Sequence, residues 1–271
     1  MIDRNKLVRD NFINAVNTET LPTSVITLTP SDVGLSHTDV IDLFETQVIS
    51  RHLDLQSRIM QKKGQSFYTI GSSGHEGNAA YAKAFRPTDM AFLHYRSGAF
   101  MIQRSKQVPG QTPIYDMLLS FAASTGDPIS GGRHKVLGSK TLNIPPQTST
   151  IASHLPKAMG AAFSVQLVKR LALSDELSLN MPDDSLIVCN FGDASSNHST
   201  TQGALNASAW AAYQSIPMPI VYICEDNGIG ISTATPEGWI AANYKDRLGL
   251  NYLYCDGLNL LDTYQKAKQA E

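Results

Sequence analysis

The chain has 271 residues, 42% hydrophobic and 17% charged, which is enough apolar material for one large domain and excludes disorder for most of it. A formal charge of −2 gives no net electrostatic reason to expect a nucleic acid or an anionic membrane as partner. No apolar run approaches the roughly 18 residues needed to span a bilayer, and Met1 to Asp10 is too charged for a signal peptide, so a soluble cytoplasmic protein is expected.

Residues 1 to about 35 carry turn signals at Pro22 and Pro30 and read as an N-terminal arm or extension, with one α/β domain expected from 36 to 271. Ser36 or Thr38 caps a helix that continues through Val40, Leu43, Phe44, Val48, Leu53 and Leu55 towards Gln61. Ser66 to Gly77 is a loop rich in small residues, which let backbone approach a ligand. A helix over Asn78 to Phe85 and a short strand from Met90 to His94 follow. Three Gly/Pro-rich connections come next, at Ser105 to Pro113, Ser124 to Arg133 and Ile144 to Thr150, with a helical run from Asp116 to Ala122 between the first two. An Ala-rich helix spans about Pro156 to Leu171.

The most regular part begins at Ser185. Ser-Leu-Ile-Val-Cys-Asn-Phe is a buried-strand pattern, Thr201 to Tyr213 is helical, and Pro219 to Cys224 is strand again. A last strand at Asn251 to Cys255 and a helix from Leu260 to Gln269 repeat the alternation. The predicted fold is therefore α/β, an open, mostly parallel sheet with helices on both faces. Cys189, Cys224 and Cys255 each fall in strand-like stretches and are expected as reduced thiols.

Gly192-Asp193-Ala194-Ser195 follows directly on a predicted strand, at the carboxyl edge of the sheet where ligands of open α/β folds bind. The next strand ends in Glu225-Asp226-Asn227-Gly228-Ile229-Gly230, so a second set of oxygen donors meets the same edge. A carboxylate, a carboxamide and a backbone carbonyl are hard ligands that suit Mg²⁺ bridging a diphosphate, and backbone N–H groups opening a helix after Gly192 would face the same anion. Taken alone, Asp193 is equally well an ordinary helix cap.

The stretch GDASSNHSTTQGALNASAWAAYQSIPMPIVYICEDN resembles the thiamine-diphosphate motif, Gly-Asp-Gly followed after two to three dozen residues by Asn-Asn. Ser66-Phe67-Tyr68, Gly74-His75-Glu76-Gly77, His94-Tyr95-Arg96, the Leu155 to Ala162 segment and Gly228 to Thr233 are similar to the α subunit of pyruvate and branched-chain 2-oxo acid dehydrogenases. The likeness runs from about residue 36 to the end and slightly favours the branched-chain type. It implies a thiamine diphosphate-binding fold of the diphosphate-binding type, with thiamine diphosphate and Mg²⁺ as cofactors.

Carried over position by position, Asp193, Asn227 and the Ile229 carbonyl match the metal ligands, and Gly192, Ala194 and Ser195 complete the diphosphate motif. Tyr95 and Arg96 match the pair that meets the diphosphate, for which a guanidinium fork is suited. Ser149 and Ile151 match positions that hold the aminopyrimidine, and Phe67 and Tyr95 match residues near the substrate channel. Ala194 stands for the motif's second glycine, Asp226 for its first asparagine, and His154 for a glutamine beside a potassium loop. His134, His154 and His198 are read as structural, and no catalytic residue is assigned.

The resemblance further implies oxidative decarboxylation of a 2-oxo acid, with the acyl unit passed to the lipoyl group of an acyltransferase. It also implies a β-type pyrimidine-binding subunit or domain that brings the activating glutamate. The family's α subunit continues past the equivalent of Asp256-Gly257 with a strand and a histidine-bearing loop, so the domain is expected to be cut short at its C-terminus. Two alternatives stand: another thiamine-diphosphate reaction, transketolase-like or acetoin-cleaving, and a non-catalytic scaffold that keeps the fold. A nicotinamide site is disfavoured because Gly228-Ile-Gly230 lacks the third glycine at the needed offset.

Overall fold

The computed structural model describes residues 4–22, 25, 27–67, 70–173, 181–182 and 184–271, with backbone only at residues 4 and 5. Tyr68 of the Ser66-Phe67-Tyr68 motif and Met1 to Asp3 of the charged N-terminal stretch lie outside the described residues. The arm contains a helix that sequence reading had not assigned, α1 (Arg4–Asn17), whose apolar residues Leu7, Val8, Phe12, Ile13 and Val16 are all exposed.

Helix α2 (His37–Lys62) starts where its capping signal predicts: Ser36 Oγ accepts from the Asp39 N–H, and Asp39 answers the Ser36 N–H in a capping box. Next come α3 (Asn78–Ala84), β1 (Met90–Phe92), α4 (Gly98–Ser105) and α5 (Pro113–Phe121). Helix α4 was missed because it is buried on every side, so no amphipathic period marks it. The Ile144 to Thr150 connection proves partly a strand: β2 (Leu137–Ser139) pairs antiparallel with β3 (Ile144–Gln147). Pro145 and Pro146 disguise it, since proline cannot donate to a ladder and reads as a loop.

Helix α6 (Leu155–Arg170), β4 (Ile187–Gly192), α7 (Ser199–Tyr213) and β5 (Ile220–Glu225) follow. Strands β1, β4 and β5 form one parallel sheet in the order β1-β4-β5, with Phe92 opposite Cys189 and Gly192 opposite Glu225. The pleat sends alternate side chains to opposite faces. Ala91, Leu93 and Val188 join Tyr81, Phe85, Phe100, Ile102 and Phe121 on one side. Phe92, Ile187, Cys189 and Phe191 join Leu155, Ala158, Ala162 and Ala204 on the other. Helices cover both faces, as the sequence predicts.

Past β5 the chain makes a small hairpin of β6 (Ile229–Gly230) and β7 (Thr233–Ala234), then α8 (Trp239–Tyr244) and α9 (Leu260–Ala270). The expected strand at Asn251 to Cys255 does not form: these residues carry no ladder. Leu250 and Tyr252 instead pack on Leu205, Ile240 and Tyr244 beside the edge of β5, so side-chain burial and not backbone pairing produced the apolar pattern. All three cysteines are free; Cys189 is buried, and Cys224 and Cys255 are half-buried. Among the described residues no helix is long and apolar enough to cross a membrane.

Candidate diphosphate and metal site

Tyr95 and Arg96 follow β1, Gly192 ends β4 with Asp193 to Ser195 after it, and Asn227 and Ile229 follow β5. Because the three strands are parallel and adjacent, their carboxyl ends form one edge, and three separate sequence motifs meet there. The Ser149–Ile151 loop reaches the same region from β3. Thr200 Oγ1, in the first turn of α7, donates to the Ala152 carbonyl at 3.5 Å, and His154 Nε2 donates to the Asn190 carbonyl at 2.7 Å. Ser149 is half-buried and Ile151 largely exposed. Phe67 is not gathered in: its ring is 76% exposed beyond the end of α2.

Asp193 is the most telling residue. It is only 2% exposed, and its Oδ2 is buried without a hydrogen-bond partner. An orphaned buried carboxylate oxygen costs free energy unless a cation or donor meets it. Across the edge, burial, and then the charge and side chain of Asp193, push the Asp226 carboxyl above its ordinary value. The two carboxylates are thus near enough to interact at adjoining strand ends, with the exposed Asn227 and Ile229 following on β5. Among the described residues no group of three His, Cys, Asp or Glu surrounds a common position. A zinc-type cage is not what this edge offers. The donor set fits Mg²⁺, which takes one or two carboxylates and completes its shell with phosphate, carbonyl and water oxygens. The residues present therefore fit the group.

One expectation is corrected here. The segment after Gly192 does not open an α-helix; Asp193–Asn197 is a single 3₁₀ turn, and α7 starts later, with His198 as its N-cap accepting from the Thr200 N–H. Any anion at Gly192 would meet the N–H groups of a short turn and not a full helix dipole.

Arg96 Nη1 donates to the Gly71 carbonyl at 2.5 Å, and its guanidinium lies 5.0 Å from the Tyr95 ring centroid. The loop holding Gly71 is fixed in turn by buried Asp54, whose carboxylate accepts from the Ser72 N–H and the Ser73 hydroxyl. Tyr95 is buried against His94, ring centroids 4.1 Å apart.

The structure adds residues that sequence reasoning did not assign. Glu225 accepts from His75 Nδ1, from the Tyr81 hydroxyl, and from Asn190 Nδ2 at 3.0 Å. Burial alone would raise the Glu225 pKa; the hydrogen bonds from His75 and Tyr81 oppose it and hold the carboxyl below its ordinary value. His75 stacks on His94, whose own pKa burial pushes down to about 3. Asn190, in the middle of an apolar strand, was the available signal, since a polar side chain there demands partners. Each of the three loop histidines has a partner: His198 caps α7, His154 is buried on β4, and His134 lies 3.4 Å from Ser66 Oγ.

The family model described as the dehydrogenase E1 component matches residues 44–271. A protein named 2-oxoisovalerate dehydrogenase subunit alpha, mitochondrial, from Caenorhabditis elegans is 24% identical over 96% of this chain and 58% of its own length. The 2-oxoisovalerate dehydrogenase subunit alpha of Bacillus subtilis is 26% identical over 88% of this chain and 67% of its own length. The mitochondrial subunit alpha of Mus musculus is 22% identical over 88% of this chain and 50% of its own length. This chain thus spans half to two thirds of the length of these three relatives. With the match running from the first third of α2 to residue 271, the chain belongs to the dehydrogenase E1 component family.

Proposed function

We propose that residues 36–271 are the diphosphate-binding α-type portion of a thiamine-diphosphate-dependent 2-oxo acid dehydrogenase, acting on a branched-chain 2-oxo acid or pyruvate. The observation that carries the reading is the orphaned Oδ2 of buried Asp193 facing Asp226 at adjoining strand ends. Family membership and the alpha-subunit names of the relatives support it.

In this reading Asp193, Asn227 and the Ile229 carbonyl hold Mg²⁺. Gly192, Ala194 and Ser195 line the diphosphate, and Tyr95 and Arg96 clamp its other side. Ser149 and the Ile151 backbone hold the aminopyrimidine, and Tyr95 borders the path of the substrate. When bound, thiamine diphosphate supplies an electron sink for the charge left as CO₂ departs. This chain's own part would be to offset the diphosphate charge with Arg96, to hold the cation that offsets the rest, and to orient the ring against a partner domain. A β-type pyrimidine-binding subunit is the proposed partner, and a lipoyl acyltransferase the proposed acceptor of the acyl group. A reducing cytoplasm is the proposed location, in keeping with three free thiols. A transketolase-like or acetoin-cleaving enzyme would use the same edge and differ in the acceptor.

The test is calorimetric titration of thiamine diphosphate with Mg²⁺ into this chain, alone and with a β-type partner. Metal-dependent binding that Asp193→Ala abolishes is expected. No binding by the wild-type chain with a competent partner overturns the cofactor assignment and leaves the non-catalytic scaffold.

A further inference from the structure

The relation between His75 and Asn227 is not explained by metal ligation alone. The Asn227 carboxamide is held at both ends: its Oδ1 accepts from the Ile229 N–H at 3.1 Å, and its Nδ2 lies 3.3 Å from His75 Nε2. A backbone N–H can only donate, so the oxygen must stay on the Ile229 side and the NH₂ must face the histidine. His75 Nε2 is then required to be an acceptor, which places the ring proton on Nδ1. Glu225 Oε2 sits on Nδ1 and accepts that proton's hydrogen bond. The other oxygen of Glu225 is already taken by two donors, the Tyr81 hydroxyl and Asn190 Nδ2. His75 is itself only 6% exposed, so water does not substitute for these partners.

We propose that His75 is a positioning residue of the proposed metal site: Glu225 fixes its Nδ1–H tautomer, and that tautomer fixes the Asn227 carboxamide with its oxygen turned to the cation. The inference rests on the reading of Asp193 and Asn227 as Mg²⁺ ligands. Its logic is that of an outer-shell partner that sets the tautomer and orientation of what lies inside it.

Glu225→Gln isolates the device with almost no change of shape. Tyr81 and Asn190 both donate to Oε1, so the glutamine must present its oxygen to them and its NH₂ to His75. That forces the proton of His75 onto Nε2, where it opposes the Asn227 NH₂ donor to donor. His75→Leu removes the acceptor altogether, and His75→Gln restores one through its side-chain carbonyl.

Two readouts test this in the full chain with its β-type partner: calorimetric Mg²⁺ affinity in the presence of thiamine diphosphate, and the nitrogen chemical shifts of ¹⁵N-labelled His75 without metal. The expected result is Nδ1–H in the wild type and Nε2–H in Glu225→Gln. Mg²⁺ binding should weaken by roughly 10-fold to 100-fold in Glu225→Gln and His75→Leu, with partial recovery in His75→Gln. A wild-type proton on Nε2, or wild-type Mg²⁺ affinity in both weakened variants, overturns the relay while leaving the site intact. Failure of the wild-type protein itself to bind Mg²⁺ overturns the reading of the site and the relay with it.

Discussion

The methyl group of Ala194 rests against the Cα of Gly230: a Cβ added at residue 230 would lie 2.2 Å from the Ala194 Cβ. In the motif that this stretch resembles, residue 194 would be a second glycine; here it is alanine, and the residue facing it on the hairpin is a glycine. The methyl is accommodated by β6 rather than left to crowd the strand ends.

Gly230→Ala should therefore destabilise the fold by about 1–3 kcal/mol through overpacking, because a backbone-anchored methyl cannot rotate away. Ala194→Gly alone should cost no more than about 1 kcal/mol, the ordinary penalty of a glycine in a turn of helix. The double variant should recover most of the loss, and a double-mutant cycle from denaturant melts measures the coupling. Additive losses would mean that the two residues do not touch.

How much of this was legible follows from what kind of force places each part. The parallel sheet and its flanking helices were readable because Ile187 to Phe191 and Ile220 to Cys224 carry their burial in their own composition. The meeting of Asp193 and Asn227 at one edge of the sheet was readable because both follow strands that the topology makes parallel and adjacent. Helix α4 and the β2–β3 hairpin were not, since one lacks a polar face and the other hides its pairing behind two prolines. The role of His75 was beyond reach for a different reason: its partners Glu225 and Asn227 lie 150 and 152 residues away in the chain. The strand expected at Asn251 to Cys255 failed because apolar alternation reports burial, and here burial comes from packing on Tyr244 without a ladder.

The start of α2 is the most local of these predictions and the simplest to check. Ser36→Ala removes the acceptor for the Asp39 N–H and should lower stability by about 1 kcal/mol. Asp39 also accepts from Ser36 and from Lys83, and these bonds hold its carboxyl well below its ordinary value. Part of the contribution should accordingly fade as pH falls below 3.8, the ordinary value of the group, because protonation removes the acceptor. Urea melts of the two proteins at neutral and acid pH would show the gap narrowing; a constant gap would contradict the capping box.

Burial pushes the Cys189 thiol well above its ordinary pKa, and the residue is fully enclosed between β4 and the α6–α7 layer. A thiol that neither ionises nor meets solvent is a poor nucleophile. Native protein should leave Cys189 unmodified by iodoacetamide under conditions that label it fully in urea, as read by mass spectrometry of its peptide. Rapid labelling in the native state would show that the central strand opens far more easily than its packing implies.

His154 provides the sharpest pH dependence. Its Nε2–H is committed to the Asn190 carbonyl, and its Nδ1 is buried with no acceptor to receive a second proton. Burial consequently lowers its pKa from 6.5 to about 4. Above pH 6.5 the imidazole is neutral in both folded and unfolded chains and pH has no leverage through it. Below that value the unfolded chain takes up a proton that the folded protein refuses, so stability falls until about pH 4, where both forms are charged. The full effect is on the order of 3 kcal/mol. His154→Gln keeps a donor for the Asn190 carbonyl and cannot titrate. Its stability should fall less steeply than that of the wild type between pH 6.5 and 4, by up to roughly 1.4 kcal/mol per pH unit. Parallel curves from denaturant melts across that range would show that the ring already finds an acceptor when protonated, contrary to its enclosed position behind β4.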